Sequence, residues 1–121
     1  MILSFKKQFA EPILNGSKIH TIRHDSKNRW KEGNKIHFAT DVRTKNQVQF
    51  HESTCVSIQE VVIYYAPLSR FPVVIIDGRK LNSCECSAFA SLDGFESFAK
   101  FTEWFSEDFE GKIIHWTNKK Y

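Results

Sequence analysis

The chain has 121 residues, 41% of them hydrophobic and 26% charged, with a formal net charge of +3. That size and mix fit one domain spanning 1–121 and exclude two independent cores. Aromatics make up 14% of the residues, eleven of them Phe, enough large apolar surface to exclude disorder.

Residues 2–5 read as a first strand. Phe9, Ile13 and Leu14 then approach helical spacing, which predicts a helix over 7–15 with Pro12 near its start and Gly16 as a left-handed stop. Residues 18–23 alternate like a strand, and 25–33 are polar loop around Trp30. Ile36 and Phe38 alternate with polar neighbours over 34–41, a half-buried strand. Residues 48–65 are β-branched and aromatic but too long for one strand. They predict a bend or hairpin near 52–54 or 59–60. The Asp77-Gly78 pair between 73–76 and 79–81 signals a hairpin with a tight primed turn.

Past Leu81 the pattern becomes helical. Asn82 or Ser83 caps a helix over 83–91. Asp93-Gly94 opens a second helix, over 95–109, on which Phe95, Phe98, Phe101, Phe105 and Phe109 form an amphipathic stripe. That stripe reads as core rather than ligand box, because each buried ring contributes about 1.5–3 kcal/mol. Gly111 stops the helix, and 112–116 return as a final strand. Strands interrupted by end-packed helices indicate an α+β fold closed as a small curled sheet or barrel.

Charge is unevenly distributed. Residues 1–50 hold ten Lys/Arg against four Asp/Glu, whereas 51–121 hold seven against ten. This polarity permits an anionic ligand on the basic side, and a solvated basic face fits equally well. The longest apolar runs, 61–66 and 71–76, fall short of the ~20 residues a spanning helix needs, so no membrane partner is expected. An apolar run precedes Lys6 and Lys7 rather than following them, which argues against a signal peptide. Three cysteines, an odd number, argue against a disulfide framework. The expectation is a cytoplasmic protein. Cys55, Cys84 and Cys86 lack zinc-site spacing, so they read as free thiols, and neither metal nor cofactor is expected.

The chemistry-bearing segment is Gly16-Ser17-Lys18-Ile19-His20-Thr21-Ile22-Arg23. Thr21 and Arg23 are two apart on a strand and share a face. Lys18 joins them only if it sits in the turn after Gly16, before regular strand begins. His20 and His24 flank this motif, either as exposed strand histidines or as phosphate contacts. Trp30 lies among Lys27, Arg29 and Lys31. Its ring either stacks on a base, worth about 1–3 kcal/mol, or packs as a lid over the mouth of the barrel.

Gly16-x-Lys18-x-x-Thr21-x-Arg23 after a short helix resembles the signature of the ASCH domain, a member of the PUA-like superfamily. Trp30-Lys31-Glu32-Gly33-Asn34, Asp93-Gly94-Phe95 and the closing Ile113-Ile114-His115-Trp116 extend the likeness over almost the whole chain. The resemblance implies a PUA-like β pseudo-barrel of five or six strands with short helices packed beside it. It also implies a cleft for RNA or a nucleoside, held by Lys18, Arg23, Lys27, Arg29 and Trp30. Some ASCH-type proteins resemble a 4-acetylcytidine amidohydrolase with a Lys, Thr and Glu trio. Carried over, these become Lys18, Thr21 and Asp93, a shorter acid than the family's, with Glu96 as fallback. In that role Lys18 takes a proton from Thr21, whose hydroxyl attacks the acyl carbon, and the acid, placed at a helix start, protonates the leaving amine. Removing that proton requires a lysine pKa well below its usual ~10.4. Desolvation or the Arg23 cation lowers it and Asp93 raises it, and the expectation is that Lys18 stays charged at pH 7 and the site primarily binds.

Overall fold

The computed structural model describes all of residues 1–121. In chain order the elements are β1 (Ile2–Phe5), a 3-10 turn (Lys7–Phe9) running into α1 (Ala10–Leu14), β2 (His20–Arg23), β3 (Lys35–Thr40), β4 (Val48–Thr54), β5 (Ser57–Tyr64), β6 (Val73–Ile76), β7 (Arg79–Lys80), α2 (Ser83–Leu92), α3 (Phe98–Trp104) and β8 (Phe109–His115). This is an α+β fold with two sheets. A three-stranded sheet has the order β1-β3-β4, and a five-stranded sheet has the order β2-β8-β5-β6-β7. Only β1 and β3 pair in parallel. No helix is long and apolar enough to cross a membrane.

The five-stranded sheet is apolar on both faces, and β8 shows why. Side chains alternate along a strand, so Ile113 packs with Ile22, Val61, Ile63, Phe89 and Phe101 in one core. Its neighbour Ile114 packs with Phe5, Phe9, Trp30, Ile36 and Phe38 in a second. One core lies against α2 and α3, the other against the three-stranded sheet.

The expected 48–65 break is present but falls at residues 55–56, where the chain changes sheets. β4 pairs with β3 and β5 with β8, so this is no hairpin. The β6–β7 hairpin forms as expected. Asp77 and Gly78 both have positive φ, +48° and +80°, as a type I′ turn requires. Asn82 caps α2 in a reciprocal capping box with Glu85.

Two helical expectations need correction. Asp93-Gly94 does not open a helix; it closes α2. Phe95 N donates to Ala90 O at 3.0 Å and Gly94 N to Ser91 O at 3.0 Å, with Gly94 at φ +94°. That is a Schellman stop. The five-Phe stripe does not share one helix over 95–109 either. Ser97 caps α3, which covers only Phe98–Trp104, and Phe109 already belongs to β8, opposite Ile63. Glu107, Asp108 and Glu110 would have crowded a helix C-terminus, where negative charge is unfavourable, and the β ladder takes the segment instead. The rings still gather in the core. Phe95 meets buried Phe101 edge-on, Phe98 stacks on it and Phe105 tilts against it, at 4.9–5.6 Å between centroids.

Candidate functional site

β1 and β2 are edge strands of different sheets, and the gap between them is a cavity of about 960 Å³. Lys18, Thr21, Arg23 and Asp93 all line it. The condition set by strand geometry is met, since β2 begins only at His20 and Lys18 lies in the approach from Gly16, whose φ is +85°. That approach is pinned at both ends. Lys18 N donates to Pro12 O at 2.9 Å, and Ile19 N to Leu92 O at 2.9 Å. The second bond satisfies a carbonyl that the end of α2 leaves open.

The Lys18 side chain completes this closure. Its Nζ donates to the Asp93 backbone carbonyl at 2.5 Å and to Asp93 Oδ1 at 3.1 Å, so an ammonium sits where a helix C-terminus favours positive charge. Both residues are only 2% exposed. Burial lowers the Lys18 pKa from its ordinary value; Asp93 opposes this, and Arg23 adds a smaller push in the same direction as burial. The net shift is downward, toward the neutral amine. Gly94 makes the approach possible. A Cβ there would stand 3.0 Å from Lys18 Cδ and 3.2 Å from the Phe9 ring.

Asp93 serves a second donor that sequence reasoning missed. His20, fully buried, places Nδ1 3.0 Å from Asp93 Oδ1 and Nε2 2.6 Å from the Tyr121 hydroxyl. Burial lowers the His20 pKa despite the Asp93 contact, and burial raises that of Tyr121. A neutral imidazole donating from Nδ1 and accepting from Tyr121 satisfies every partner. The chain continues through Gln59, whose Nε2 donates to Tyr121 O at 2.8 Å and whose Oε1 accepts from Tyr121 N at 2.8 Å. It ends at buried His115, 3.0 Å from Gln59 Oε1, with a pKa pushed down by burial to about 4. The expectation that His20 is an exposed strand histidine is therefore corrected: it turns inward with Ile22. Strand alternation sets it on the face opposite Thr21 and Arg23, and that face is the helix-covered core.

Arg23 shares the face of Thr21, as its spacing requires. Its Nε donates to Thr21 Oγ1 at 3.4 Å, its Nη2 donates to Ser4 O at 2.5 Å, and its guanidinium lies 4.8 Å from the Phe5 ring centroid. It thus stitches the two edge strands. The Lys18 ammonium makes both its hydrogen bonds to Asp93, and none joins it to Thr21.

The remaining expected residues lie elsewhere. Lys27 and Arg29 are exposed on the 24–34 loop and do not line the cavity. Trp30 is 9% exposed and belongs to the core under the three-stranded sheet, so its ring has no free face for a base. Asp25 draws it in, accepting from Arg29 N and Trp30 N at 2.9 Å each and pairing with Lys112 at 3.3 Å. Burial raises the Asp25 pKa, but these donors together take it below the ordinary value. Glu96 lies beyond the stop, while Asp93 holds the site. Cys55 and Cys86 sit in different cores and Cys84 is exposed, so the three thiols do not converge. Comparison with protein-family models, curated proteins and solved structures finds no match for this chain.

Proposed function

We propose that this chain is an ASCH-type domain, its two sheets an open PUA-like pseudo-barrel, and that the cavity between β1 and β2 recognises a modified nucleoside or a nucleotide of RNA. The observation that carries this reading is the convergence of Lys18, Thr21, Arg23 and Asp93 on one cavity, although the last of them is 70 or more positions away from the others. Burying an ion pair is costly, and a hydrophobic pair of the same shape is often as stable. Titratable groups perturbed by burial and by one another in a cleft mark a functional site. The cavity volume falls in the small-ligand range. Phe5, Phe9, Phe95 and Trp104 line it and supply apolar faces for a base, while the hydroxyl, ammonium and guanidinium supply polar contacts. With Trp30 in the core, a single nucleoside in the cavity suits the molecule better than a long strand across the 24–34 loop. Free thiols fit a reducing, cytoplasmic setting.

Calorimetric titration with cytidine, 4-acetylcytidine and a short single-stranded RNA tests the reading. Saturable binding weakened about 10-fold by Thr21→Val, the loss of one buried hydrogen bond to ligand, supports it. Absence of binding to all three overturns it.

One observation favours a second reading, an amidohydrolase acting on 4-acetylcytidine-type nucleosides. The lowered Lys18 pKa suits an amine that removes a proton from Thr21, with Asp93 protonating the departing amine. Binding stands first because Lys18 is committed to Asp93 in both its hydrogen bonds, and an amine so held is placed to bind an anion or carbonyl. Cytidine release from 4-acetylcytidine, measured by chromatography and abolished by Thr21→Ala, would reverse the order.

A further inference from the structure

Three of the charged groups lining the cavity, Lys18, Asp93 and Asp41, are already answered within the fold. Asp93 takes Lys18 at 3.1 Å, and Asp41 takes Lys7 at 3.4 Å. Three cations lining it, Lys6, Arg23 and Arg43, enter no ion pair with any carboxylate. Lys6 rests over the Trp104 ring at 4.9 Å, and Arg43 is exposed at the mouth.

Arg23 is the most constrained of the three. Ser4 O, Thr21 Oγ1 and the Phe5 ring hold its guanidinium from three sides. Those contacts use two of its five N–H groups, leaving both on Nη1 and one on Nη2. A planar fork with its orientation fixed and its outer edge unused matches the geometry of a bidentate oxyanion. Ordering the side chain has been accomplished by the fold, so a ligand meets it preorganised.

We propose that the ligand of this cavity is a nucleoside monophosphate, with its phosphate on the outer edge of Arg23 and with Arg43 and Lys6 closing over it from the rim. The inference rests on the nucleoside reading above and adds the group that selects the ligand. A phosphate monoester carries about −1.5 to −2 charges near neutrality, a closer match to three unanswered cations than a carboxylate offers. The aromatic residues of the same cavity face the base, so one ligand satisfies both halves of the lining.

Isothermal titration of the intact chain with cytidine 5′-monophosphate, cytidine and inorganic phosphate separates the possibilities. The expected result is nucleotide binding at least about 10-fold tighter than nucleoside binding, the scale of one charge-assisted hydrogen-bond pair. Arg23→Gln should bring that preference to near unity, and Arg23→Lys should retain part of it. Arg43→Gln, at an exposed position where folding is not at stake, should lower the preference about 3-fold. Equal affinity for nucleotide and nucleoside overturns this proposal and leaves the nucleoside reading standing. Inorganic phosphate binding as tightly as the nucleotide overturns the nucleotide assignment and the nucleoside reading with it. A preference that survives both Arg23→Gln and Arg43→Gln overturns the role given to these side chains, and failure of all three ligands overturns both readings.

Discussion

Two basic segments of the N-terminal third have opposite fates. Lys27, Arg29 and Lys31 stand in water on a loop whose only anchored ring, Trp30, turns away from them into the core. Lys18, a few residues earlier, is buried at 2% exposure and answered by an equally buried Asp93. In the linear sequence the loop is the denser run of charge. Exposed charges cost almost nothing to keep and constrain almost nothing, whereas a charge withdrawn from water must be compensated by a specific partner. The compensated group is therefore the informative one, and its partner lies 75 positions away.

The strongest way to break this contrast is Asp93→Ala. It leaves the Lys18 ammonium and the His20 Nδ1 donor buried without their acceptor, and a loss of about 3–5 kcal/mol is expected in urea unfolding. The double variant Lys18→Met/Asp93→Leu removes both charges and should recover part of that stability, the His20 Nδ1 donor still lacking its acceptor, while abolishing ligand binding. If Asp93→Ala costs less than about 1 kcal/mol, the pair is not buried in solution and the contrast fails. Gly94→Ala comes next. It places a Cβ against the Lys18 stem at φ +94°, and a loss of about 1–3 kcal/mol follows from the strained backbone alone. Thermal melting reads it.

Acid sharpens the contrast from the other end of the polar chain. His115 titrates at about 4 in the fold because burial holds it neutral, against an ordinary value of about 6.5. The unfolded chain takes up this proton first, so stability should fall as the pH drops from about 6.5 through about 4, with the lowered pKa of His20 acting in the same direction. His115→Gln should flatten that slope in urea midpoints measured across the range. The smallest effect belongs to the loop. Lys27→Ala and Arg29→Ala should each change stability by no more than about 0.5 kcal/mol and leave nucleotide affinity within about 2-fold, since neither lines the cavity. A larger loss of affinity, steepening at low salt, would return the loop to the binding surface.

Local signals carried the sequence reading where local physics decides the structure. The Asp77-Gly78 turn, the Asn82 cap, the Gly16 stop and the shared face of Thr21 and Arg23 each depend on a few neighbouring residues, and each was legible. The misreadings share a different cause. Asp93-Gly94 has the composition of either end of a helix, and only the hydrogen bonds to Ala90 and Ser91 decide which. The Phe stripe keeps its spacing across the end of α3, but pairing of Phe109 with Ile63, a partner far away in sequence, overrides the helical period. For Trp30 both a stacking ring and a packed lid stayed open, because the Asp25 carboxylate that turns it inward acts through backbone donors no composition reveals. His20 was legible in principle. Alternation alone sets it opposite Thr21 and Arg23, a step the reading did not take, and a buried histidine on a covered face needs partners for its ring nitrogens.

The distance along the chain between Lys18 and Asp93 also has a consequence in time. At about 5–20 residues per second of synthesis, roughly 4–15 s separate the appearance of the amine from that of its carboxylate, and β8, the partner of β2, comes later still. Throughout that interval β2 has no neighbour, and its Thr-Ile-Arg edge is open to any passing strand. Lys18 is then a hydrated cation beside it, of the kind that keeps unpaired edges apart. The residue that ends as one half of a buried ion pair thus begins in water, as a charge next to an unpaired strand edge.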